Sequence, residues 1–209
     1  MPIASEIAAK LLEIKAIKLN TKTPFTWASG LLSPIYCDNR IILSHPKVRD
    51  LVKKRLVEKS GEFDDIDAVA GVATAGIPHG MMLADALGLP FAYVRNKPKE
   101  HGRQNLIEGE LHAGQNVLIV EDLISTGGSS LQVVEAVQAA GCNIAGILAI
   151  FTYGFESSTT LFEKGQYRLK TLTNYDALIA EAVRKGYVSA AETEVLQAWR
   201  KHPERFGNE

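Results

Sequence analysis

The sequence predicts an α/β fold, with a doubly wound parallel sheet and a small hood at its N-terminal side. Apolar stretches rich in Val, Ile, Leu and Ala alternate with helical patterns along the chain; they are residues 67–72, 90–95, 116–122 and 143–153. Apolar strands that alternate with helices are typical of a parallel sheet covered on both faces. Glycine-containing turns follow the first and third stretches, at the strand ends where such sheets bind their ligands.

The N-terminal residues predict a helix followed by the hood. Apolar residues recur there at helical spacing, in a set made of Ile3, Ile7, Leu11, Ile14 and Leu19. A glycine and a proline then break the helical period, and two short extended runs predict a hairpin; the runs contain Phe25, Trp27, Ile35 and Tyr36. We expect residues 1–45 to contribute this helix and hood to a single domain of residues 1–209.

The remaining segments predict packing elements without identifiable chemistry. Residues 46–59 have the pattern of a charged amphipathic helix, and the tail from Thr173 to Glu209 has the pattern of two amphipathic helices. In the helix after the first apolar stretch, we expect His79 on the surface and the Met81 and Met82 pair in the core. The length of 209 residues, with 46% hydrophobic residues, suits one globular core.

Composition and charge exclude several classes of protein. The formal net charge of -1 gives no overall attraction to polyanions, so we expect no nucleic-acid partner. Charged residues interrupt the apolar N-terminus, which predicts neither a signal peptide nor a membrane span. The two cysteines, Cys37 and Cys142, lack the spacing of a zinc site, and we expect them to be buried thiols in the reducing cytoplasm.

The segment VLIVEDLISTGGSS, from Val117 to Ser130, carries the clearest chemical signal. Its turn of Ser, Thr and Gly leads into a helix, so backbone N–H groups, hydroxyls and the positive end of the helix dipole can surround a phosphate. Glu121 and Asp122 end the strand, where they can accept hydrogen bonds from sugar hydroxyls. Neither the lysine of GxxxxGKS/T nor the GxGxxG pattern is present, which favours a phosphate monoester such as ribose 5-phosphate.

Two further segments suit anions. The stretch GVATAGIPHG, residues 71–80, is a second turn of small residues after a strand, and the amides of Ala73 to Gly76 can approach an anion there. Residues 94–109 form a polar segment with five basic side chains: Arg95, Lys97, Lys99, His101 and Arg103. Alone, such a loop is typical of solvated surface, but beside a pyrophosphate its cations can stabilise the negative charge of the leaving group.

The apolar strand followed by EDLISTGGS resembles the signature of the type I phosphoribosyltransferases, which bind 5-phosphoribosyl 1-pyrophosphate (PRPP). Together with FTWASGLLSPIYCDNR, GVATAGIPHG and the order R-x-K-x-K-E-H-G in the basic loop, it is similar to the orotate phosphoribosyltransferase family. The likeness extends from Phe25 to Tyr153. It implies the type I phosphoribosyltransferase fold, and transfer of ribose 5-phosphate from PRPP to N1 of orotate, giving orotidine 5′-monophosphate and pyrophosphate in pyrimidine biosynthesis.

The resemblance also implies a set of site residues. The catalytic residues would be Asp122, Lys99 and His101, and the pyrophosphate turn would be Thr74, Ala75 and Gly76. PRPP would contact Arg95, Lys97, Lys99, His101, Glu121, Asp122, Leu123, Ile124, Ser125, Thr126, Gly127, Gly128 and Ser129. Orotate would contact Ser125, Ile35, Tyr36 and Arg40. The resemblance further implies Mg²⁺ brought by PRPP, without an assigned protein ligand, and a homodimer whose subunits share their active sites.

The sequence departs from the family pattern in places, and two other functions stay open. Ala28 stands where some members have a lysine, Thr74 and Ala75 replace a Tyr-Lys pair, and TYGFESS lacks an arginine found in others. We expect Lys97 and Arg40 to be the substitute cations. The alternatives are a purine phosphoribosyltransferase, which should lack the SPIYCDNR hood, and a PRPP-sensing regulator that binds nucleic acid through a basic face.

Overall fold

A computed structural model of the chain describes residues 2–27, 30–95 and 106–206. The helices are α1 (Ile3–Glu13), α2 (Pro46–Ser60), α3 (Gly76–Leu87), α4 (Gly128–Ala139), α5 (Glu156–Lys164), α6 (Tyr175–Arg184) and α7 (Ala190–Lys201). The strands are β1 (Ile17–Leu19), β2 (Phe25–Thr26), β3 (Leu32–Ser33), β4 (Ile35–Cys37), β5 (Ala68–Val72), β6 (Phe91–Val94), β7 (Ile107–Glu108), β8 (Asn116–Ile124), β9 (Asn143–Thr152) and β10 (Leu169–Asn174). Short 3-10 helices lie at Asn39–Ser44 and Pro203–Arg205.

Among the described residues, six strands form the central sheet, in the order β10-β9-β8-β5-β6-β7. Neighbouring strands are parallel except for β6 and β7, which are antiparallel. The chain proceeds outward from β5 to β6 on one side, and from β8 to β9 and β10 on the other. The direction of winding therefore reverses between β5 and β8, and such a reversal opens a crevice at the carboxyl ends of the strands.

Both faces of this sheet are covered. Successive side chains of a strand point to opposite faces, so Leu118 and Val120 pack in one apolar cluster while Val117 and Ile119 pack in the other. The first cluster takes in residues of α1, α2, α3 and α6, and the second takes in residues of α4 and α5. The predicted α/β fold with a doubly wound sheet is confirmed.

The hood consists of two small antiparallel pairs rather than one hairpin. Strand β2 pairs with β3, and β4 pairs with β1, in which Leu19 lies opposite Ile35. The expectation that Leu19 continues the N-terminal helix is therefore wrong, as is the pairing of the Phe25 run with the Ile35 run. The spacing of apolar residues predicted a helix at Leu19 because Ile17 and Leu19, which alternate as in a strand, also fall near the helical period of α1.

The C-terminal part holds two elements that the sequence pattern did not predict, α5 and β10. Strand β10 extends the sheet at its edge, parallel to β9. The two expected tail helices are present as α6 and α7, and α7 begins at a capping box between Ser189 and Glu192. In the part of the chain that the structure describes, no helix is long and apolar enough to cross a membrane.

The orientation of α3 and the environment of one cysteine differ from expectation. His79 is fully buried and Met81 is 47% exposed, the reverse of the predicted placement. The buried face of α3 is set by Gly76 and Gly80, whose lack of side chains allows close packing on β8 and β5. His79 shares that face.

Both cysteines are free thiols, and Cys142 is buried as predicted while Cys37 is only partly buried.

Candidate active site

The phosphate-binding segment lies where the fold predicts, between the end of β8 and the start of α4. Gly127 precedes α4 with a φ of 85°, a left-handed conformation that favours glycine. The turn and the first residues of α4 enclose a cavity of about 70 Å³, lined by Glu121, Leu123, Ser125, Thr126, Gly127, Gly128, Ser129 and Ser130. The first N–H groups of a helix have no partner within it, so this cavity suits an anion. Ile124 is buried beneath the turn.

The acid pair at the end of β8 is held in a low-dielectric setting. Glu121 is buried, and its carboxylate accepts hydrogen bonds from the backbone N–H of Asp122 at 3.0 Å and from Ser130 Oγ at 3.4 Å. Burial, and then the neighbouring charge of Asp122, raise the pKa of Glu121 well above its ordinary value. Burial also raises the pKa of Asp122. A cation placed beside the pair would favour the ionised form of both carboxyls.

The second anion turn lies directly against the acid pair. It follows β5 and consists of Thr74, Ala75 and Gly76, with a cis peptide between Ala73 and Thr74. A Cβ on Gly76 would lie 2.5 Å from the carbonyl oxygen of Val120 and 3.3 Å from the Cα of Glu121. Because only glycine permits this approach, residue 76 brings the two turns to adjoining places at the switch point of the sheet.

The hood closes one side of a larger cavity of about 710 Å³. Tyr36 and Cys37 of β4 line it from the hood, and Ser125 and Thr126 line it from the phosphate-binding turn. Trp27 and Tyr153 form an aromatic wall, with ring centroids 5.3 Å apart. A planar heterocyclic base fits such a wall because aromatic rings stack on its faces.

Other predicted residues lie apart from the cavities or outside the described residues. Ile35 is fully buried, so it supports the hood. Arg40 is exposed and makes two hydrogen bonds to Asp38, at 2.7 and 3.0 Å. The guanidinium of Arg95 lies 3.6 Å from the carboxylate of Glu108. Lys97, Lys99 and His101 lie outside the described residues, as does Ala28.

Sequence reasoning missed the aromatic wall of the larger cavity, formed by Trp27 and Tyr153. The sequence pattern predicts Trp27 only as part of an extended run, and Tyr153 only as the end of the last strand. The signal for Tyr153 was its position, because it directly follows β9 at the edge where β5 and β8 also end. Among the described residues, no three His, Cys, Asp or Glu side chains are grouped as metal ligands.

Comparison with known proteins agrees with this geometry. Residues 38–182 match the family model of the phosphoribosyl transferase domain. The orotate phosphoribosyltransferase of Porphyromonas gingivalis is 54% identical over 202 residues, which cover 96% of this chain and 96% of that protein. That of Listeria monocytogenes is 53% identical over 208 residues, covering 99% of this chain and all of that protein.

A solved structure is similar as well. The crystal structure of the Aeropyrum pernix orotate phosphoribosyltransferase is 28% identical, with a TM-score of 0.76, and the match covers 88% of this chain and 99% of that one. The alignments with relatives extend over nearly the whole sequence, hood included. The chain therefore belongs to the phosphoribosyltransferase family, and within it to the orotate phosphoribosyltransferases.

Proposed function

We propose that the crevice between β5 and β8 is the site at which this enzyme transfers ribose 5-phosphate from PRPP to orotate. The observation that carries the proposal is the contact of Gly76 with Val120 and Glu121, which sets two anion-binding turns on either side of an acid pair. PRPP has two anionic groups, its 5-phosphate and its pyrophosphate, separated by a ribose with neighbouring hydroxyls. Two turns that suit anions, beside an acid pair, correspond to these three parts of PRPP.

Each part of PRPP then has a proposed partner. The 5-phosphate is bound by Ser125, Thr126, Gly127, Gly128 and Ser129, the ribose hydroxyls by Glu121 and Asp122, and the pyrophosphate by Thr74, Ala75 and Gly76. Leu123 and Ile124 support the turn. Arg95 lies at the end of β6, beside the pyrophosphate turn, because Ala73 N–H donates to the carbonyl of Val94 at 2.9 Å. Lys97, Lys99 and His101 are retained as proposed cations for the leaving group.

The reaction breaks the bond from ribose C1 to the pyrophosphate oxygen and forms a bond from C1 to N1 of orotate. We propose that departure of pyrophosphate runs ahead of attack, so positive charge develops on the ribose ring. Asp122 and Glu121 favour that charge, since carboxylates in a low-dielectric site act strongly on a nearby cation. Burial raises the pKa of both carboxyls, so a cation beside them would favour their ionised form.

Mg²⁺ fits this site as an ion that enters with PRPP. Mg²⁺ usually keeps several waters and binds substrate phosphates, so it can be held with few or no protein groups. When bound, the ion supplies neutralisation of the charge on pyrophosphate. We assign it no direct protein ligand. A crystal structure of the Mycobacterium tuberculosis orotate phosphoribosyltransferase in complex with PRPP is 25% identical to this chain, with a TM-score of 0.66 over 85% of it and 99% of that chain, which supports PRPP as the donor.

The larger cavity is the proposed orotate site. Tyr36 and Ser125 line it, as the resemblance implies, and Ser125 also belongs to the phosphate-binding turn. Ile35 supports Tyr36 from within the hood, and Arg40 remains a proposed contact at its rim. This cavity favours an orotate over a purine phosphoribosyltransferase, because it is formed in part by the SPIYCDNR hood, which a purine phosphoribosyltransferase should lack.

The test is a panel of bases offered with PRPP and Mg²⁺ while pyrophosphate release is followed. Orotate should be consumed, whereas adenine, hypoxanthine, xanthine and uracil should give background rates. Omission of Mg²⁺, with a chelator present, should abolish release with orotate. Preference for any purine would overturn the assignment of the cavity, and full activity in the chelator would overturn the role of the metal.

The wider setting of the enzyme is part of the proposal. We infer a homodimer whose subunits share their active sites, acting in the cytoplasm in pyrimidine synthesis, with the whole chain, residues 1–209, forming one domain. The free thiols of Cys37 and Cys142 suit a reducing compartment. One apolar cluster runs from Ile7 of α1 to Trp199 of α7, which supports a single domain.

A further inference from the structure

A second cavity adjoins the proposed orotate site and carries the charge that the first one lacks. Its volume is about 250 Å³, and it lies between the hood, the start of α5 and the end of α7. Four residues line both cavities: Trp27, Leu31, Ser125 and Thr126. The two cavities therefore adjoin each other along these four residues. A ligand held in the larger cavity can extend a substituent toward the smaller one.

The larger cavity alone offers no cation to pair with the carboxylate of orotate. Among the described residues, its lining consists of aromatic, aliphatic, hydroxyl and thiol side chains, and none of them is charged. Orotate is a pyrimidine that bears an ionised carboxylate. Transfer of an ionised carboxylate from water into such surroundings is costly unless a cation pairs with it. The smaller cavity is lined by Arg200 and Lys201, two cations at the end of α7.

We propose that Arg200 binds the carboxylate of orotate and so determines the choice of base. The proposal rests on the assignment of the larger cavity as the base site. Arg200 lies at the carboxyl end of β9, because a Cβ built on Gly154 would be 4.0 Å from its Nη1. Gly154 directly follows Tyr153, which lines the base cavity. The cation is thereby placed beside the wall against which the base would stack.

The guanidinium of Arg200 is fixed on one side and has donors left on the other. Its Nη1 lies 2.8 Å from both carboxylate oxygens of Asp176, and the group lies over the ring of Tyr175 at 5.6 Å. Within the described residues, its Nε and Nη2 make no hydrogen bond. A guanidinium has five N–H donors in a planar fork, a geometry that matches a carboxylate. Prior fixation by Asp176 lowers the entropy cost of binding.

The charges around Arg200 suit a single carboxylate better than a phosphate. Glu156 and Glu204 line the same cavity, so its two cations face two acids. Glu204 is itself near Arg205, at 3.6 Å. A dianionic phosphate would meet repulsion from both acids, whereas a monoanion that reaches the guanidinium need displace neither. The charge pattern therefore separates this place from the phosphate-binding turn at Gly127 and Gly128.

Arg40 is less suited to this task. Its side chain is 62% exposed and is paired with Asp38, and it lines neither of the two cavities. A cation that is exposed to water gains little from an ion pair, because solvent screens the charges. Its placement suits long-range attraction of anionic substrates to the rim of the site.

The test compares steady-state kinetics of Arg200→Gln with those of the wild-type enzyme. The KM for orotate should rise roughly 10-fold to 100-fold, the value of one hydrogen-bonded ion pair, while the KM for PRPP should change less than about twofold. In the reverse direction, the KM for orotidine 5′-monophosphate should rise likewise, because the product keeps the carboxylate. Arg200→Lys should recover part of the loss, as a charge without the planar fork.

Two matched controls separate binding from structure. Asp176→Asn keeps the positive charge of Arg200 but removes its ion pair, and should raise the KM for orotate far less than Arg200→Gln does. Arg184→Gln removes a surface arginine paired with Glu181 and should change neither KM. If Asp176→Asn raises the KM for orotate as much as Arg200→Gln does, Arg200 acts only through the fold and the proposal is wrong.

A variant of the base cavity distinguishes this inference from the assignment on which it rests. Tyr36→Ala should raise the KM for orotate through lost stacking. If Tyr36→Ala raises it and Arg200→Gln leaves it within threefold of wild type, the cavity stands and the role of Arg200 is refuted. If neither variant raises it while both fold as judged by thermal unfolding, the base lies elsewhere and both assignments are refuted.

Discussion

The side-chain amide of Asn39 donates a hydrogen bond of 2.7 Å to the backbone carbonyl of Asp122. Asn39 is fully buried and belongs to the 3-10 helix that follows the hood, whereas Asp122 stands at the end of β8. A partly buried hydrogen bond thus joins the segment that follows β4 to the acid pair. This bond helps to fix the backbone of Asp122 relative to the hood.

Replacement of Asn39 by alanine should therefore affect both stability and rate. Loss of a buried donor should lower the free energy of unfolding by about 1–3 kcal/mol, and kcat should fall because Asp122 is no longer fixed. Urea unfolding and steady-state kinetics measure the two effects. Asn143→Ala is the matched control, since it removes an exposed amide donor to the carbonyl of Gly114 and should cost less than about 0.5 kcal/mol. If both substitutions lower the free energy of unfolding and kcat equally, the hydrogen bond of Asn39 to Asp122 has no special role.

Asp122→Asn should lower the rate far more than it lowers stability. A charge that acts mainly on the transition state contributes about a factor of 10² to 10³ in kcat, and the amide keeps the size of the carboxylate. Asp85→Asn, on the exposed face of α3, is the control and should leave kcat unchanged. A kcat for Asp122→Asn within threefold of wild type would rule out the assigned role.

The buried carboxyl of Glu121 should make the empty protein less stable as pH rises. Its pKa in the unfolded chain is near 4.5, and burial followed by the charge of Asp122 raises the folded-state pKa well above that. Between these two pKa values the native state binds more protons than the unfolded state. The contribution of Glu121 to the free energy of unfolding is therefore most favourable below its pKa in the unfolded chain. It is lost as pH rises through its pKa in the folded protein.

Glu121→Gln removes this titration while preserving shape. The free energy of unfolding of the variant, minus that of the wild type, should be larger at about pH 8 than at about pH 4. The variant should also bind PRPP more weakly. Urea unfolding of both empty proteins across that range measures the first effect, and titration with PRPP and Mg²⁺ measures the second. Parallel stability curves would show that Glu121 ionises normally in the folded protein.

Shared active sites should reveal themselves by complementation. Lys99→Ala and Asp122→Asn should each be inactive alone, and a mixed dimer should place both lesions in one site and neither in the other. After exchange at equal amounts, activity should return to about a quarter of wild type, since half of randomly paired dimers are mixed and each has one intact site. Demonstrated exchange without recovery would mean that Lys99 serves its own subunit.

The site motifs were predictable because their chemistry is local. An apolar strand, two acids and a turn of Ser, Thr and Gly are contiguous in sequence, and the switch point of the sheet then brings the Gly76 turn beside them. The edge strand β10 was not predictable in this way, because it is only partly buried and reads LKTLTN. Helix α5 was obscured by its Ser and Thr residues, which favour caps and turns over helix interiors.

The remaining errors arose from tertiary contacts. The pairing of β1 with β4 joins Ile17 to Cys37 across the chain, and no local period records that partner. His79 is buried because it shares the face of α3 that packs on the sheet with Gly76 and Gly80, and with the apolar Leu83 and Ala84. Arg200 could not be assigned from sequence, since its place in the smaller cavity depends on how α7 packs against the hood.

The aromatic wall of the base cavity has an optical consequence. The chain has two tryptophans, and the rings of Trp27 and Trp199 lie 5.8 Å apart. Trp199 is buried beside Tyr153, whereas Trp27 borders both cavities. All of the indole emission of the protein therefore originates at the place where the base would bind. Quenching or a spectral shift of that intrinsic fluorescence gives a label-free readout of base binding, with no distant tryptophan to dilute it.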